Sequence, residues 1–347
     1  MKNLNNKKIL IVGGAGFVGS NLTKIILNKH NPSKVVVVDN LLSSEKENLP
    51  LSNKKLEFLH GSITDDSILN QISDDIQYIF HLSTFHGNQS SIHDPIKDHE
   101  NNTLTTLKLM NHVKDFKNLK KLVYSAAGCS AAKKTYDSAS ATTEEAPLSV
   151  VQDSPYSISK VIGEFYSVYF YKQHNVPTVR ARFQNVYGPG EVLGAGEWRG
   201  TIHTIWRNVT PNFIYKSLKK EKLPLFNGGD ASRDFIYVDD ICNGLIACAI
   251  NGKQGDVYNI ASGNEMKIKE WAKIICELTD NKGGYELLPK RKWDTSGKRF
   301  GSTEKAESEL GFKAKIDFKL GLKNTVEWTI ENLEFIEKCM SKHKKFI

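Results

Sequence analysis

The sequence predicts an α/β protein built on a doubly wound parallel sheet, with a smaller C-terminal α/β lobe. Three observations lead to this prediction. The chain has 347 residues, which is more than one compact core usually holds. Short runs of β-branched residues alternate with longer segments of helical periodicity through the first half. After Val186 this alternation gives way to a glycine-rich loop and to less regular pieces.

The predicted elements follow one another in βαβ order. Strands are expected at 8–12, 35–39, 56–60, 76–80, 119–125 and 177–182, and the clearest helical segments at 17–28, 102–115 and 156–174. The right-handed crossovers of such units place helices on both faces of a parallel sheet. Residues 235–238 and 257–260 are predicted strands that return to the sheet region. We therefore expect one unit from 1–186 plus about 234–262, and a second from about 187–233 plus 263–347.

The composition predicts a soluble protein without a membrane span. No apolar run is long enough to cross a bilayer, and the first residues lack a signal-peptide pattern. The cysteines have no metal-ligand spacing, so we expect a reduced, cytoplasmic compartment and no metal site. The formal net charge is +8, but Lys and Arg are spread along the chain. This favours an anionic small-molecule substrate over nucleic acid.

The first predicted strand runs into a glycine-rich turn and then into a helix. The turn reads Gly13-Gly14-Ala15-Gly16-Phe17-Val18-Gly19. Its glycines permit a tight turn, close approach of the backbone to a pyrophosphate and close packing of the helix. Asp39 ends the next strand, where a carboxylate binds ribose hydroxyls and repels a 2′-phosphate. Because no Arg or Lys directly follows Asp39, the sequence predicts a Rossmann-type site for NAD rather than NADP.

A second motif carries acid–base chemistry. Tyr156-Ser157-Ile158-Ser159-Lys160 places a phenol and an ammonium on one face of a predicted helix. The ammonium and a positively charged nicotinamide would stabilise the phenolate and lower the tyrosine pKa. We therefore expect Tyr156 to be the catalytic base and Lys160 its electrostatic partner.

Together these motifs resemble the extended short-chain dehydrogenase/reductase enzymes that act on nucleotide-sugars, such as UDP-galactose 4-epimerase. The likeness covers roughly residues 7–330, and further motifs occur in the family's order. These are Phe80-His81-Leu82, Ser91-Ile92-His93-Asp94-Pro95, Asn101-Asn102, Arg182-Phe183-Gln184-Asn185-Val186-Tyr187-Gly188-Pro189, Arg233-Asp234-Phe235-Ile236-Tyr237-Val238-Asp239-Asp240 and Arg291-Lys292-Trp293-Asp294. The stretches 86–91 and 180–207 resemble, more narrowly, an enzyme of O-antigen gene clusters, which implies a role in envelope polysaccharide synthesis. The family resemblance also implies a homodimer formed through a helix pair.

The resemblance implies two adjoining sites, one for NAD and one for a nucleotide-sugar that is expected to be UDP-linked. The implied cofactor residues are Gly13, Gly16, Phe17, Val18, Gly19, Asp39, Asn40, Ser62, Ile63, Leu82, Ser83 and Asn102, with Tyr156 and Lys160. The implied substrate residues are Asn185 for the sugar-phosphate, Arg233 and Arg291 for the diphosphate, Asp294 for the nucleoside ribose, and Asn208 and Leu225 along the nucleotide. His86, Asn88 and Arg199 are further candidates for substrate contact.

One segment departs from the family pattern. The family usually has Ser-Ser-Ser or Ser-Ser-Thr after the fifth strand, and its last hydroxyl bonds the sugar oxygen beside the tyrosine. Here the segment reads Tyr124-Ser125-Ala126-Ala127-Gly128-Cys129, so Ala127 occupies that place. Either Ser125 or a water replaces the hydroxyl, or Tyr156 works alone.

The same segment bears on the reaction. A 4,6-dehydratase carries an Asp-Glu pair, and a UDP-glucuronate decarboxylase a glutamate, where this chain has Gly128-Cys129, so both are disfavoured. C4 epimerisation through a transient 4-keto sugar needs only Tyr156, the nicotinamide and room for the sugar to turn, and is expected first. The alternatives are C5 or 3,5-epimerisation with Cys129 as acid–base group opposite Arg199, and net oxidation or reduction. A non-catalytic NAD-binding protein is a remote alternative, favoured by Ala127 alone.

Overall fold

The computed structural model describes residues 3–85, 87–131, 135–197, 201–294 and 297–347. Its strands are β1 (Lys8–Val12), β2 (Lys34–Asp39), β3 (Leu56–His60), β4 (Tyr78–His81), β5 (Lys121–Ala127), β6 (Thr178–Phe183), β7 (Asn185–Tyr187), β8 (Leu223–Phe226), β9 (Ser232–Arg233), β10 (Phe235–Tyr237), β11 (Val257–Ile260), β12 (Met266–Lys267) and β13 (Tyr285–Leu288). Its helices are α1 (Phe17–Lys29), α2 (Asp66–Leu69), α3 (Asn88–His93), α4 (Pro95–Asp98), α5 (Thr105–Val113), α6 (Gly128–Ala131), α7 (Pro155–His174), α8 (Val209–Leu218), α9 (Val238–Asn251), α10 (Ile268–Leu278), α11 (Phe318–Glu331) and α12 (Leu333–Ser341). A π-helical turn at His99–Leu104 leads from α4 into α5.

The main sheet is parallel and doubly wound, which confirms the predicted fold class. Across the described residues its strand order is β11-β6-β5-β4-β1-β2-β3. The chain moves outward from β1 to β3 and then returns to β4 on the other side of β1. Ligands of open α/β sheets bind at such a reversal, beyond the carboxyl ends of the strands.

Both faces of this sheet are buried. Ile9, Ile11, Val35 and Val37 belong to a core that includes residues of α1 and α9. The intervening residues of β1 and β2 face a second core, which includes residues of α5 and α7. Side chains alternate along a strand, so a strand covered on both faces needs an apolar residue at every position. This is why β1 and β2 each contain four consecutive apolar residues, Ile9–Val12 and Val35–Val38.

Three details differ from the predicted elements. The strand at Phe235 does not join the main sheet, because β10 pairs with β7 instead. The fourth and fifth strands lie about two residues later than predicted, since pairing with β1 sets Val12 opposite His81. The helix predicted at 102–115 is the π-helical turn followed by α5. Val257–Ile260 does return to the sheet, where it pairs with β6.

Small sheets and helices surround the carboxyl ends of the main strands. β8 pairs with β13, and β9 pairs with β12. The Trp271 ring of α10 stacks on Phe235 of β10, with ring centroids 3.9 Å apart and planes inclined by 3°. This contact fixes α10 against the strand that follows Arg233. The division of the chain into two units stays a prediction.

The segment after β7 is held by the region of α12. Residues Val192, Leu193, Ala195 and Ile205 form a separate core with Ile336, Cys339 and Met340. The Glu45 carboxylate accepts hydrogen bonds from Lys342 Nζ at 2.5 Å and from the Gly196 N–H at 2.7 Å. A third bond joins His343 Nε2 to the Gly194 carbonyl at 3.0 Å. Glu45, in the loop after β2, and His343, after α12, therefore both hydrogen-bond to the backbone at Gly194 and Gly196.

None of the helices in the described part of the chain has the length and apolar character needed to cross a membrane.

Candidate active site

The glycine-rich turn between β1 and α1 fits closely under the end of β4. Gly13 has a φ of +80°, and a Cβ there would lie 2.5 Å from the Ser83 backbone nitrogen. A Cβ on Gly19 would lie 2.2 Å from the Gly13 carbonyl oxygen. Neither position has room for a side chain, so the backbone can approach a ligand. Gly16 caps α1 without a side-chain bond, which leaves the N–H groups of the helix end available to an anion.

Asp39 ties this turn to the loop after β2. Its carboxylate accepts hydrogen bonds from the Ala15 N–H, the Leu41 N–H and the Ser44 hydroxyl, each at 2.9 Å. Burial raises the pKa of Asp39, and these bonds oppose the rise. The Gly16 N–H lies near the same carboxylate and also lowers its pKa, and Asp39 lines the cavity. Asp39 thus both holds the turn and faces the cavity.

A cavity of about 480 Å³ extends from this turn to the segment after β13. It brings together most of the predicted site residues: Gly13, Gly16, Phe17, Val18, Gly19, Asp39, Asn40, Ser62, Ile63, Leu82, Ser83, Asn88, Ser125, Cys129, Tyr156, Lys160, Asn185, Asn208, Arg233, Arg291 and Asp294. His86 and Arg199, which were also predicted to contact substrate, lie outside the described residues. The candidate cofactor and substrate sites are therefore continuous.

Two predicted site residues do not line the cavity. The Leu225 side chain is buried and does not line the cavity, whereas its neighbours Pro224 and Phe226 do. Alternation along β8 turns Leu225 into the core. Asn102 also lies behind the cavity wall. Its Oδ1 accepts from the Phe85 N–H at 2.7 Å, and its Nδ2 donates to Asp98 and to Ser159 at 2.7 and 3.2 Å. Through these bonds Asn102 connects the segment after β4 to α4 and α7.

Helix α7 presents Tyr156 and Lys160 to the cavity. Ser154 caps the helix by accepting from the Ser157 N–H at 3.2 Å, and Pro155 follows in the first turn. Lys160 Nζ lies 5.8 Å from the centre of the Tyr156 ring and donates to the Ser125 carbonyl at 3.0 Å. Burial lowers the pKa of Lys160 to about 8. It raises the pKa of Tyr156 well above its ordinary value, and Cys129, Tyr124 and Asp98 add to the rise.

The end of β5 offers no free hydroxyl at the family position. Ala127 lines the cavity there, beside α7. The Ser125 hydroxyl, predicted as one replacement, donates to the His81 carbonyl at 2.9 Å. It is therefore engaged within the sheet. Cys129, at the start of α6, lines the cavity and is partly exposed.

The far end of the cavity is cationic. Arg233 donates to the carbonyls of Ser232 and Gly297, both at 2.7 Å. Burial and, to a smaller extent, the neighbouring Arg299 lower its pKa to about 9. The Arg291 guanidinium stacks on Phe226, 3.7 Å from the ring centre. Guanidinium groups held in a cleft in this way are suited to phosphate oxygens.

The chain matches the NAD dependent epimerase/dehydratase family over residues 9–261. It belongs to that family. The glycine turn, the open end of α1 and Asp39 together suit the dinucleotide after which the family is named.

Solved structures of epimerase/dehydratase family enzymes resemble this chain along nearly its whole length. The Bordetella bronchiseptica enzyme WbmF, solved with NAD+ and UDP, is 58% identical, with 99% of this chain and 98% of that chain covered and a TM-score of 0.88. The epimerase Mth375 of Methanothermobacter thermautotrophicus is 35% identical, with coverage of 96% and 95% and a TM-score of 0.87. The UDP-glucose 4-epimerase of Thermotoga maritima, solved with UDP-glucose, is 28% identical, with coverage of 94% and 99% and a TM-score of 0.82. WbmF is the enzyme that the stretches 86–91 and 180–207 resemble, so that resemblance is confirmed.

Thr84, Glu191 and Arg299 are among the cavity residues of this epimerase/dehydratase chain that were not predicted from the sequence. Arg299 is 8% exposed, and its Nη1 has no partner within the described residues. Glu191 is 5% exposed. It accepts from the Asn208 side chain, while its Oε2 is buried and has no partner in the described part of the chain. Burial raises the pKa of Glu191 to about 7. No local sequence signal marks these residues, because only the fold brings them to the cavity.

Proposed function

We propose that this enzyme inverts C4 of a UDP-linked sugar through a transient 4-keto intermediate, with NAD as cofactor. The observation that carries the proposal is the arrangement around Tyr156. The tyrosine and Lys160 share a cavity with the glycine turn, while Gly128 and Cys129 stand where a dehydratase or decarboxylase would hold carboxylates. Tyr156 provides a base for the 4-hydroxyl, and positions 128 and 129 hold no carboxylate that could eliminate water from the sugar.

The cationic end of the cavity supports a nucleoside diphosphate. Arg233 and Arg291 approach from different segments and can each pair with phosphate oxygens. WbmF was solved with UDP and the Thermotoga maritima epimerase with UDP-glucose, which supports uracil as the base. Asn185 lines the same cavity and pairs with Phe235, two residues after Arg233, which is a suitable place to bind the sugar-phosphate.

In the proposed reaction Tyr156 takes the proton of the 4-hydroxyl and returns it after the sugar has turned over. Bound NAD would accept the hydrogen from C4 and give it back. Lys160 Nζ lies 5.8 Å from the centre of the Tyr156 ring, and its positive charge would oppose the rise in the Tyr156 pKa that burial causes. Removal of the phenolic oxygen in Tyr156→Phe should lower turnover at least about a hundredfold while UDP binding persists.

Cys129 favours a second candidate, inversion at C5. A 4-ketone acidifies the C5 proton, and a thiolate in the cavity could remove it. Cys129 lies close enough to Tyr156, Lys160 and Arg233 for its charge to influence the pKa of each. Its opposing acid would have to come from elsewhere, since arginine stays charged.

Heavy water distinguishes the two reactions. The enzyme would be incubated with NAD and a panel of UDP-sugars in D₂O, and each product examined by NMR. C4 inversion alone leaves every carbon-bound position free of deuterium, and Cys129→Ala keeps the rate within about tenfold. Deuterium at C5 that disappears in Cys129→Ala would replace the C4 assignment with the C5 one. Accumulated NADH would instead indicate net oxidation.

We also propose a homodimer through the exposed face of α7. Ile158, Phe165 and Tyr169 lie at helical spacing on one side and are 48%, 58% and 52% exposed. A second copy of the same helix face would cover them. Light scattering should give the mass of a dimer for the wild-type protein and of a monomer for Phe165→Glu, with Leu320→Glu at a similarly exposed apolar position of α11 as control. A monomeric wild-type protein would contradict this.

A role in envelope polysaccharide synthesis is the biological part of the proposal. It rests on the likeness to WbmF over nearly the whole chain. Loss of the gene should remove or shorten the surface polysaccharide of its source cell, and the wild-type gene should restore it where Tyr156→Phe does not. An unchanged polysaccharide in the deletion would contradict the role.

A further inference from the structure

The site lacks a hydroxyl where the family has one, and the nearest serine on the same strand is not free to replace it. Ala127 carries only a methyl group at the cavity wall. The Ser125 hydroxyl donates to the His81 carbonyl, and its own carbonyl already receives Lys160. A substitute hydroxyl would have to come from another element that reaches Tyr156.

Thr84 meets this requirement. It follows β4 and lines the same cavity as Tyr156, and its hydroxyl lies near enough to the phenol to lower the pKa of Tyr156 by hydrogen bonding. The same hydroxyl lies 3.0 Å from Asn102 Oδ1, to which it donates. Thr84 therefore stands between the phenol of α7 and an amide of the π-helical turn.

The contacts of Asn102 leave the Thr84 hydroxyl free to turn. Asn102 Oδ1 also accepts the Phe85 N–H at 2.7 Å, so it keeps a donor when the threonine proton points elsewhere. Its Nδ2 is held by Asp98 and Ser159, which fixes the amide orientation. When Tyr156 is a neutral phenol, Thr84 can donate to Asn102 and accept from Tyr156. When Tyr156 is a phenolate, Thr84 can donate to it, because a hydroxyl is both donor and acceptor.

We propose that Thr84 supplies the hydroxyl missing at Ala127 and acts as a positioning residue that stabilises the Tyr156 phenolate. The inference rests on the proposed use of Tyr156 as base. It differs from the family arrangement in the origin of the hydroxyl, which comes from the segment after β4 rather than from the end of β5. The threonine proton is not transferred; it only changes the oxygen to which it points. A hydrogen bond to a charged oxygen of this kind is worth about tenfold to a hundredfold in rate.

The first test measures Tyr156 without any sugar. The tyrosinate absorbance of the NAD complex is titrated for wild type and Thr84→Val, each compared with its Tyr156→Phe counterpart. The other titratable groups that face Tyr156 are Lys160, Asp98, Tyr124 and Cys129, and all remain in the variant. Thr84→Val should raise the pKa of Tyr156, and Thr84→Ser should leave it near the wild-type value. An unchanged pKa in Thr84→Val would overturn the proposal.

The second test measures turnover in Thr84→Val, with and without a serine introduced at position 127. At pH 7, Thr84→Val should lower kcat about tenfold to a hundredfold with little change in KM, and the rate should recover as the pH rises. Ala127→Ser added to Thr84→Val should restore kcat to within about fivefold, since it places a hydroxyl at the family position. Thr178→Val is the control, because Thr178 is a buried threonine whose hydroxyl bonds the Ser167 carbonyl at the opposite end of the sheet, away from the cavity. A kcat in Thr84→Val equal to that of the control would also overturn the proposal.

The two tests separate this inference from the reaction assignment. If wild type turns over no UDP-sugar yet Thr84→Val raises the pKa of Tyr156, the role of Thr84 stands and the proposed substrate is wrong. If turnover is normal and neither the pKa nor kcat responds to Thr84→Val, the reaction stands and Thr84 has no part in it.

Discussion

Burial moves several ionisable side chains of the site toward their neutral forms. It lowers the pKa of Lys160 to about 8, and raises those of Glu191 and Asp98 to about 7 and 6. The pKa of Tyr156 rises as well. Buried groups are poorly screened by solvent, so they interact strongly with any charge that enters the site. A cationic nicotinamide and a diphosphate would therefore change the protonation of these residues on binding.

Asp39 should determine the choice of cofactor. Its buried carboxylate would face the ribose and repel a 2′-phosphate, so we expect NAD to bind at least about tenfold more tightly than NADP. Asp39→Ala should weaken NAD binding and reduce the difference, because it removes the negative charge and the bond to Ala15. Calorimetric titration of both dinucleotides measures this. Equal affinities in the wild-type protein would contradict the assignment.

Glu191 should make the ligand-free protein less stable at high pH. Its pKa is about 7 in the folded chain against an ordinary 4.5. A raised carboxyl pKa contributes stability that is full below the unfolded pKa and is lost as the pH rises through the folded one. Glu191→Gln stays neutral, so it should exceed wild type at pH 8 by up to about 3 kcal/mol in unfolding free energy. Thermal unfolding at pH 8 and pH 5.5 measures this. A gap that does not shrink at the lower pH would contradict the sign.

At the scale of elements, helix α7 sets the position of the base through one close contact. Gly163 lies against Tyr124 of β5, and a Cβ there would come 2.0 Å from the tyrosine oxygen and 2.3 Å from Cζ. Tyr124 is 2% exposed and lies beside the His81 ring, so it cannot move aside. The distance between α7 and β5 depends on this glycine. That distance also sets the bond from Lys160 to the Ser125 carbonyl.

Gly163→Ala should therefore damage both stability and catalysis. The added methyl should push α7 away from β5, costing about 2 kcal/mol of unfolding free energy or more. Because Tyr156 and Lys160 move with the helix, kcat should fall at least about tenfold in the variant that remains folded. Gln173→Ala, an exposed change on the same helix, should alter neither quantity by a comparable amount. Denaturant unfolding and steady-state kinetics provide the two measurements, and a fully active, stable Gly163→Ala would contradict the argument.

The elements differ in how far the sequence predicts them. β1 and β2 were predictable because burial on both faces requires an apolar residue at each position. The glycine turn and Asp39 were predictable because their spacing follows from the βαβ unit. β10 was misassigned because its partner β7 is decided by tertiary packing rather than by its own residues. Thr84 could not be connected with Tyr156 for the same reason, since their contact depends on how β4 and α7 meet.

At the scale of the whole molecule, the cavity is assembled from segments far apart in the chain. Its wall includes the turn at Gly13, the helix at Tyr156 and the guanidinium of Arg299. The chain also carries a net charge of +8, which favours the approach of a dianionic nucleotide. Ligands that touch all of these segments would bind the folded chain and not the unfolded one. Binding and global stability are thereby linked.

NAD and UDP should each raise the melting temperature. A ligand at a hundred times its dissociation constant adds about 2.7 kcal/mol to the unfolding free energy. We expect UDP to add a further shift in the presence of NAD, because the candidate sites are continuous. Arg233→Met should lose the UDP shift and keep most of the NAD shift. Scanning fluorimetry with each nucleotide alone and with both measures this; a UDP shift that survives in Arg233→Met would contradict the assignment of that end of the cavity.

The late-made contacts that hold the segment after β7 have a consequence for folding during synthesis. Strands β1 to β6 leave the ribosome long before Lys342 and His343 are made, yet those two residues hold Glu45 and Gly194. A nascent chain can therefore form its sheet while the segment after β7 still lacks its contacts with α12 and with His343. During that interval, Val192, Leu193 and Ile205 have no apolar partner from α12. Nascent chains stalled before residue 333 should consequently bind chaperones more than the full-length chain does. Their sheet has formed, but the apolar residues Val192, Leu193 and Ile205 are not yet covered by α12.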